Sequence, residues 1–187
     1  MTKRFFDLFF SLALLILLAI PLLLLAAIVR MTSQGPALYW SDRVGKNNRI
    51  FRMPKFRSMR TGTPAVATHL LANPADHLTP IGSFIRKSSL DELPQLWSIV
   101  VGDMSFVGPR PALYNQHDLI ALRTECGVHE LVPGLTGWAQ INGRDELPIP
   151  EKVRLDEFYL RNRSLWLDCR ILWQTFLKVI RRDGVSH

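Results

Sequence analysis

From residue 5 to residue 29 nearly every position is apolar, and about 25 residues at 1.5 Å each make a helix of roughly 37 Å. That length exceeds the ~30 Å hydrocarbon core of a bilayer, so the pattern alone predicts a transmembrane helix. A cleaved signal peptide fits less well, because the run is too long and no small-residue cleavage site precedes Arg30. Two features disturb a simple span. Pro21 falls mid-run, where it removes a backbone hydrogen bond and kinks a helix. Lys3 and Arg4 precede the run while Arg30, Arg43, Lys46 and Arg49 follow it, so the positive-inside rule assigns no orientation. A re-entrant helix, bent at Pro21 and leaving by the side it entered, is the alternative.

Beyond Arg30, the stretch Thr32-Ser33-Gln34-Gly35-Pro36 ends the helix. Residues 37–59 alternate loosely, with Leu38, Tyr39, Ile50, Phe51 and Phe56 as core positions of strands or loops. Residues 62–73 read as an irregular, mobile stretch. Residues 90–101 fit one helix, with Leu93, Leu96, Trp97 and Val100 on its apolar face and Gly102 as its stop. Further helices are expected over 111–125 and 148–160, separated by a glycine-rich, loop-like segment at 132–144. The last helix, 166–182, sets Leu167, Ile171, Leu172, Trp173, Phe176, Leu177 and Ile180 against Arg170, Lys178, Arg181 and Arg182. Such a helix suits a membrane interface as well as it suits a core helix with a solvated side.

A length of 187 residues suits one compact domain beside the apolar segment. The net charge of +7 points to an anionic partner, whether phosphate-rich substrate, acidic lipid or nucleic acid. No nucleic-acid motif or basic-aromatic strip supports the last of these, and nucleic acid is not expected as a partner. Cys126 and Cys169 fit no metal-ligand spacing and suggest a reducing, cytoplasmic setting. His69, His77, His117 and His129 show no ligand pattern and read as surface residues.

The densest polar cluster is Arg86-Lys87-Ser88-Ser89-Leu90-Asp91-Glu92-Leu93-Pro94. Ser89 and Glu92 match a capping box, so a helix start accounts for it. With Asp91 as the cap instead, Pro94 falls in the first turn, where its missing N–H costs little. In Gly102-Asp103-Met104-Ser105-Phe106-Val107-Gly108-Pro109-Arg110-Pro111, Arg110 stands between two prolines, which hold it extended and present a planar donor fork suited to phosphate. Lys55 and Arg57, close behind the apolar run, suit contact with acidic lipid. Residues 133–144 offer backbone amides, two side-chain amides and Arg144, a weak phosphate-loop pattern. Asp156 and Asp168 are expected to pair with nearby arginines.

The strings Lys55-Phe56-Arg57-Ser58-Met59, Ser89-Leu90-Asp91-Glu92-Leu93-Pro94-Gln95-Leu96, Gly102 through Pro111 and Pro133-Gly134-Leu135-Thr136-Gly137 stand in an order that resembles the bacterial sugar transferase family. These are the monotopic, small phosphoglycosyl transferases, and the likeness covers essentially the whole chain. The resemblance implies an α+β, mainly helical fold, with residues 1–31 as a re-entrant membrane hairpin broken at Ile20-Pro21. Residues 32–187 would form a small cytoplasmic catalytic domain with amphipathic interfacial helices, and both termini would face the cytoplasm at the bacterial inner membrane. It implies transfer of a sugar 1-phosphate from a UDP-sugar to undecaprenyl phosphate, a first membrane step of glycoconjugate synthesis whose product downstream glycosyltransferases extend. Asp91 would be the nucleophile, forming an aspartyl phosphosugar with release of UMP, and Glu92 would help hold Mg²⁺. Substrate-binding roles fall to Lys55, Arg86, Pro109, Arg110, Pro111, Arg144 and Asp168.

Two other classes fit less of the sequence. A bitopic protein that only binds acidic lipid leaves the Asp-Glu and Pro-Arg-Pro strings without a purpose. A glycosidase needs carboxyls about 5–9 Å apart across a sugar, which adjacent residues at a helix start seldom provide.

Overall fold

The apolar run folds as two helices rather than one. In the computed structural model, which describes residues 2–64, 66, 71, 73–143 and 147–181, α1 covers Thr2–Leu17 and α2 covers Ala19–Thr32, bent from each other by 63°. The break lies at Leu18 and not at Ile20-Pro21 as the sequence suggests. The reason is where a proline acts. Pro21 lacks the N–H that would reach the Leu17 carbonyl, and its ring crowds that carbonyl, so the disruption falls one turn upstream. Pro21 itself sits in the first turn of α2, where a missing N–H is harmless. Around the break Leu18 N–H still donates to Leu14 O and Leu22 N–H to Leu18 O, both at 2.8 Å.

The pair is inside-out by the standards of a protein in water. Asp7 and Ser11 are buried, while Phe5, Ile16, Ile20 and Leu23 are each more than 70% exposed. No single helix among the described residues is long and apolar enough to cross a membrane.

A hairpin follows, β1 (Leu38–Val44) against β2 (Ile50–Phe56), in register from Leu38 opposite Phe56 to Val44 opposite Ile50. Asn47 and Asn48 turn it with φ of 55° and 59°, left-handed values that asparagine tolerates. Phe56 is buried as expected, but Tyr39 and Ile50 are exposed, because the sheet has only these two strands and covers one face. Half of the stretch 62–73 lies outside the described residues. Helix α3 (Gly82–Lys87), not foreseen, leads to the polar cluster.

Residues 90–101 are not one helix. A single 3-10 turn spans Leu90–Glu92, and α4 runs over Gln95–Val101 with Pro94 as its N-cap. Ser89 makes no capping bond and has φ of 55°, so the capping box is not built. Leu96 and Ile99 face the core, whereas Trp97 is turned outward. Gly102 does end α4, at φ of 101°.

After α4, β3 (Ser105–Val107) pairs in parallel with β4 (Gly134–Thr136), Ser105 opposite Gly134 and Val107 opposite Thr136. The segment expected to be loop at 132–144 thus holds β4 and then α6 (Trp138–Ile141). Helix α5 covers His117–Glu125, shorter than expected. The residues before it run along β1 instead, with Val44 N–H donating to Ala112 O at 2.9 Å and Arg43 bridging Leu113. Helices α7 (Ile149–Asn162) and α8 (Leu165–Arg181) close the chain as the periodicity predicts. Among the described residues the fold is mainly helical with two small sheets, in keeping with an α+β class.

The main core gathers Ile99, Met104, Val107, Tyr159 and Ile171, and Phe6, Leu14, Leu15 and Leu18 of the apolar pair pack against it. Glycines allow β3 and β4 to approach so closely. A Cβ on Gly134 would fall on the backbone of Gly108 and Thr136. Overpacking against backbone costs about 1–3 kcal/mol, so Gly134→Ala should unfold several degrees below wild type in a thermal scan. An unchanged midpoint would mean that the two strands separate without cost.

Candidate active site

The 3-10 turn at Leu90–Glu92 is closed by Glu92 N–H to Ser89 O at 3.2 Å and Leu93 N–H to Leu90 O at 3.3 Å. Pro94 supplies no N–H, so the turn cannot merge with α4, and the chain tightens over Asp91 and Glu92 instead. Asp91 is buried at 8% exposure, and Glu92 is half-buried.

Glu92 gathers the cations. Its Oε1 accepts from Lys55 Nζ of β2 at 2.8 Å and from Arg110 Nη2 at 3.2 Å. Arg86, at the end of α3, acts on Asp91 electrostatically together with Lys55 and Arg110. Asp91 itself makes no hydrogen bond or ion pair with another described residue. Asp91, Glu92, Lys55, Arg86 and Arg110, all singled out from the sequence, therefore belong to one cluster.

Burial and charge act differently on the two acids. Burial dominates at Asp91 and, reinforced by the neighbouring Glu92 charge, raises its pKa to about 6 against the pull of Lys55, Arg86 and Arg110. Burial would also raise Glu92, but the adjacent Lys55 and Arg110, each hydrogen-bonded to it, hold it well below the usual carboxylate range. Near neutrality Glu92 is a fixed anion, while Asp91 is an ionised carboxylate that still binds a proton within reach of physiological pH.

Arg110 is held from behind. Arg123 of α5 donates from Nη1 to the Arg110 carbonyl at 2.8 Å, and its Nε and Nη2 donate to Asp156 of α7 at 3.0 and 2.6 Å. Both Arg123 and Asp156 are buried. Asp156 thus pairs with an arginine as expected. Pro109 and Pro111 are buried on either side of Arg110 and line a small cleft with Arg123 and His129. His129 is half-buried there, not a surface residue.

Other expectations change. Asp168 pairs with a lysine, not an arginine: its carboxylate meets Lys3 Nζ at 2.5 Å and the Tyr159 hydroxyl at 2.6 Å. Burial and this bond push the Tyr159 phenol up, so it stays a proton donor. Arg57 is no lipid contact. It is buried and donates to the Ser33 carbonyl and hydroxyl and to the Gln34 carbonyl, just beyond α2. Lys55 likewise turns to Glu92. Arg144 lies outside the described residues.

Sequence reasoning did not single out Arg123 or Tyr159, nor Asp7, whose Oδ1 accepts from the Phe106 N–H at 3.2 Å. An acid inside an otherwise apolar run was the available signal for Asp7.

No group of three or more His, Cys, Asp or Glu side chains suited to a metal occurs among the described residues. Mg²⁺ does not require one, since it is commonly held by one or two carboxylates and completed by substrate phosphates and water. Adjacent Asp91 and Glu92, with only Oε1 of Glu92 engaged among the described residues, fit that mode and not a closed protein cage.

A family model described as bacterial sugar transferase matches residues 1–182. The chain is 37% identical to an undecaprenyl-phosphate galactose phosphotransferase of Salmonella typhimurium over 97% of its own length, and spans 41% of that protein. It is 40% identical to EpsL of Bacillus subtilis, an uncharacterized sugar transferase, covering 99% of this chain and 90% of the relative. A UDP-glucose:undecaprenyl-phosphate glucose-1-phosphate transferase of Escherichia coli is 36% identical over 94% of this chain, which spans 39% of it.

The charge state of Asp91 has a consequence for stability. In an unfolded chain an aspartate titrates near 3.9. Raised to about 6 in the fold, Asp91 costs stability fully above that pH, and the cost fades as pH falls towards 4. Asp91→Asn should therefore be more stable than wild type at pH 7.5 by up to about 3 kcal/mol, read as a higher unfolding temperature, and lose about two-thirds of this advantage by pH 4.5. Equal midpoints at both pH values would show that the buried charge is fully compensated.

Proposed function

The chain belongs to the bacterial sugar transferase family, and on that premise we propose that it moves a sugar 1-phosphate from a UDP-sugar to undecaprenyl phosphate, releasing UMP. The observation that carries this is the pairing of a buried, uncommitted Asp91 with a Glu92 that collects Lys55 and Arg110 beside it.

In the first step an Asp91 carboxylate oxygen attacks the β-phosphorus of the UDP-sugar. The bond from that phosphorus to the bridging oxygen breaks, and UMP leaves with the electron pair. In the second, a phosphate oxygen of the lipid carrier attacks the same phosphorus, breaks the acyl-phosphate bond and restores the carboxylate. Dividing the transfer in this way is ordinary covalent catalysis.

Its obstacle is an anion approaching an anion, since like unit charges about 4 Å apart repel by ~4 kcal/mol at an effective dielectric constant of 20. Lys55, Arg86 and Arg110 offset that repulsion. Lys55 has three donors, more than one Glu92 oxygen can occupy. Mg²⁺ held by Glu92 with the diphosphate would add Lewis-acid charge neutralisation at the leaving phosphate. Undecaprenyl-diphospho-sugar is then a lipid-bound acceptor for glycosyltransferases that extend it.

Purified protein given a UDP-sugar without lipid acceptor should release about one equivalent of UMP and become labelled through an acyl phosphate, whereas Asp91→Asn should do neither. The burst rate should fall as pH drops through about 6, because only ionised Asp91 attacks. Turnover by Asp91→Asn, or absence of label in an active wild type, would exclude the covalent route.

We also infer a re-entrant anchor, with residues 1–31 in the inner membrane and the rest on its cytoplasmic face. Both ends of the bent pair are tied to the same body, Lys3 and Arg4 to α8 and α4, and the exit of α2 to Arg57 of the segment after β2. Two ends bonded to one compact body support a hairpin that leaves the bilayer on the side it entered. The outward-facing leucines and phenylalanines need lipid, and the exposed Trp166, Trp173 and Phe176 of α8, with Arg170 over Trp166, suit the headgroup boundary.

In a variant lacking Cys126 and Cys169, single cysteines at Thr2 and Lys46 should both resist an impermeant thiol reagent in intact cells and both react after permeabilisation. Labelling at Thr2 alone in intact cells would mean that the helix pair crosses the bilayer.

A further inference from the structure

The first two turns of α1 carry Lys3, Arg4 and Asp7, and each bonds to a different part of the body that holds the dyad. Arg4 donates to the Ile99 and Val100 carbonyls at 2.5 and 2.6 Å. These groups end α4, where a cation also meets the negative pole of the helix, and the opposite end of α4 begins directly after the dyad turn. Lys3 engages Asp168 beside the Tyr159 hydroxyl, which lies 3.3 Å from the Val107 carbonyl.

Asp7 is the most demanding of the three. Placing a carboxylate at 4% exposure in an apolar helix is unfavourable unless it is hydrogen-bonded, and a leucine would serve lipid anchoring better. Its partner explains the choice. In β3, Ser105 and Val107 pair with β4, so the Phe106 N–H points the other way and meets Asp7 Oδ1 at 3.2 Å. Asp7 stands where a neighbouring strand would, satisfying a buried donor that would otherwise be orphaned. From β3 the chain passes straight through Gly108 and Pro109 to Arg110, whose guanidinium meets Glu92.

We propose that the start of α1 is a positioning element of the active site, with Asp7 holding β3 so that Arg110 is delivered to Glu92, and Arg4 bracing α4 behind the dyad. The kinetic consequence rests on the transfer activity proposed above, whereas the consequence for the backbone does not.

The test uses the full chain in lipid nanodiscs with Asp7→Leu, Asp7→Asn, Arg110→Lys and the Asp7→Leu/Arg110→Lys pair. Asp7→Leu should lower kcat by about 10–100-fold, the scale expected of a displaced catalytic group, and Asp7→Asn, which keeps an acceptor oxygen, should recover most of it. The double variant should be little worse than the more severe single one, because both changes disable one arrangement. Amide hydrogen exchange over residues 105–110 should quicken in Asp7→Leu and return towards wild type in Asp7→Asn. Should Asp7→Leu fail to fold, Asp7→Ser, too short to reach the amide, takes its place in the same comparisons. Multiplicative losses in the double variant, or unchanged exchange over 105–110, would overturn the positioning role. A wild type that transfers nothing would overturn the transferase reading, and the exchange result would then decide the positioning role alone.

Discussion

A helix pair with an exposed apolar outer surface can be tied to a polar body only through the few polar groups it carries, and here those groups sit at its two ends. Lys3, Arg4 and Asp7 bond inward at the start of the apolar pair, and the Ser33 and Gln34 carbonyls meet Arg57 at its exit. Between them the chain bends by 63° near Pro21. Everything else is arranged around that attachment. Helix α4 packs along α1, β3 takes an acceptor from it, and the main core includes Phe6, Leu14, Leu15 and Leu18. The apolar pair and the described residues that follow it share one core.

The dyad shows how one environment produces two different carboxylates. Asp91 and Glu92 are neighbours in a single 3-10 turn and feel the same cations, yet only Glu92 is hydrogen-bonded to them. For Asp91 burial outweighs distant attraction, and for Glu92 direct contact outweighs burial. The buried Arg123–Asp156 pair, bonded to the Arg110 carbonyl, keeps the geometry from relaxing. An acid that is buried but not paired, next to an anion that recruits cations, is the arrangement on which the proposed attack on a diphosphate rests.

Much of this could be read from the chain, and the failures have specific causes. Helices α7 and α8 follow from their periodicity, because each buries one stripe against a core. The continuous helix over 90–101 failed because local pattern favours a capping box at Ser89, while Pro94 and the left-handed Ser89 enforce a break. β3 and β4 were missed because each is three residues long and paired only through a parallel partner distant in sequence. Asp168 and Arg57 were misplaced for a common reason: the ligands of a charged side chain, Lys3 in one case and the Ser33–Gln34 backbone in the other, lie where only folding brings them.

The sequence by itself determined the apolar segment, its proline, the dyad with its flanking cations, and the extended Pro-Arg-Pro presentation. All of these depend on composition and near-neighbour sterics, which act over a few residues. The tertiary structure alone decided that the bend falls at Leu18, that Glu92 and not Asp91 takes the cations, and that an acid in the apolar helix serves a strand leading to Arg110. Those outcomes turn on burial and on hydrogen-bond partners far apart in the chain, quantities that exist only once the chain has closed on itself.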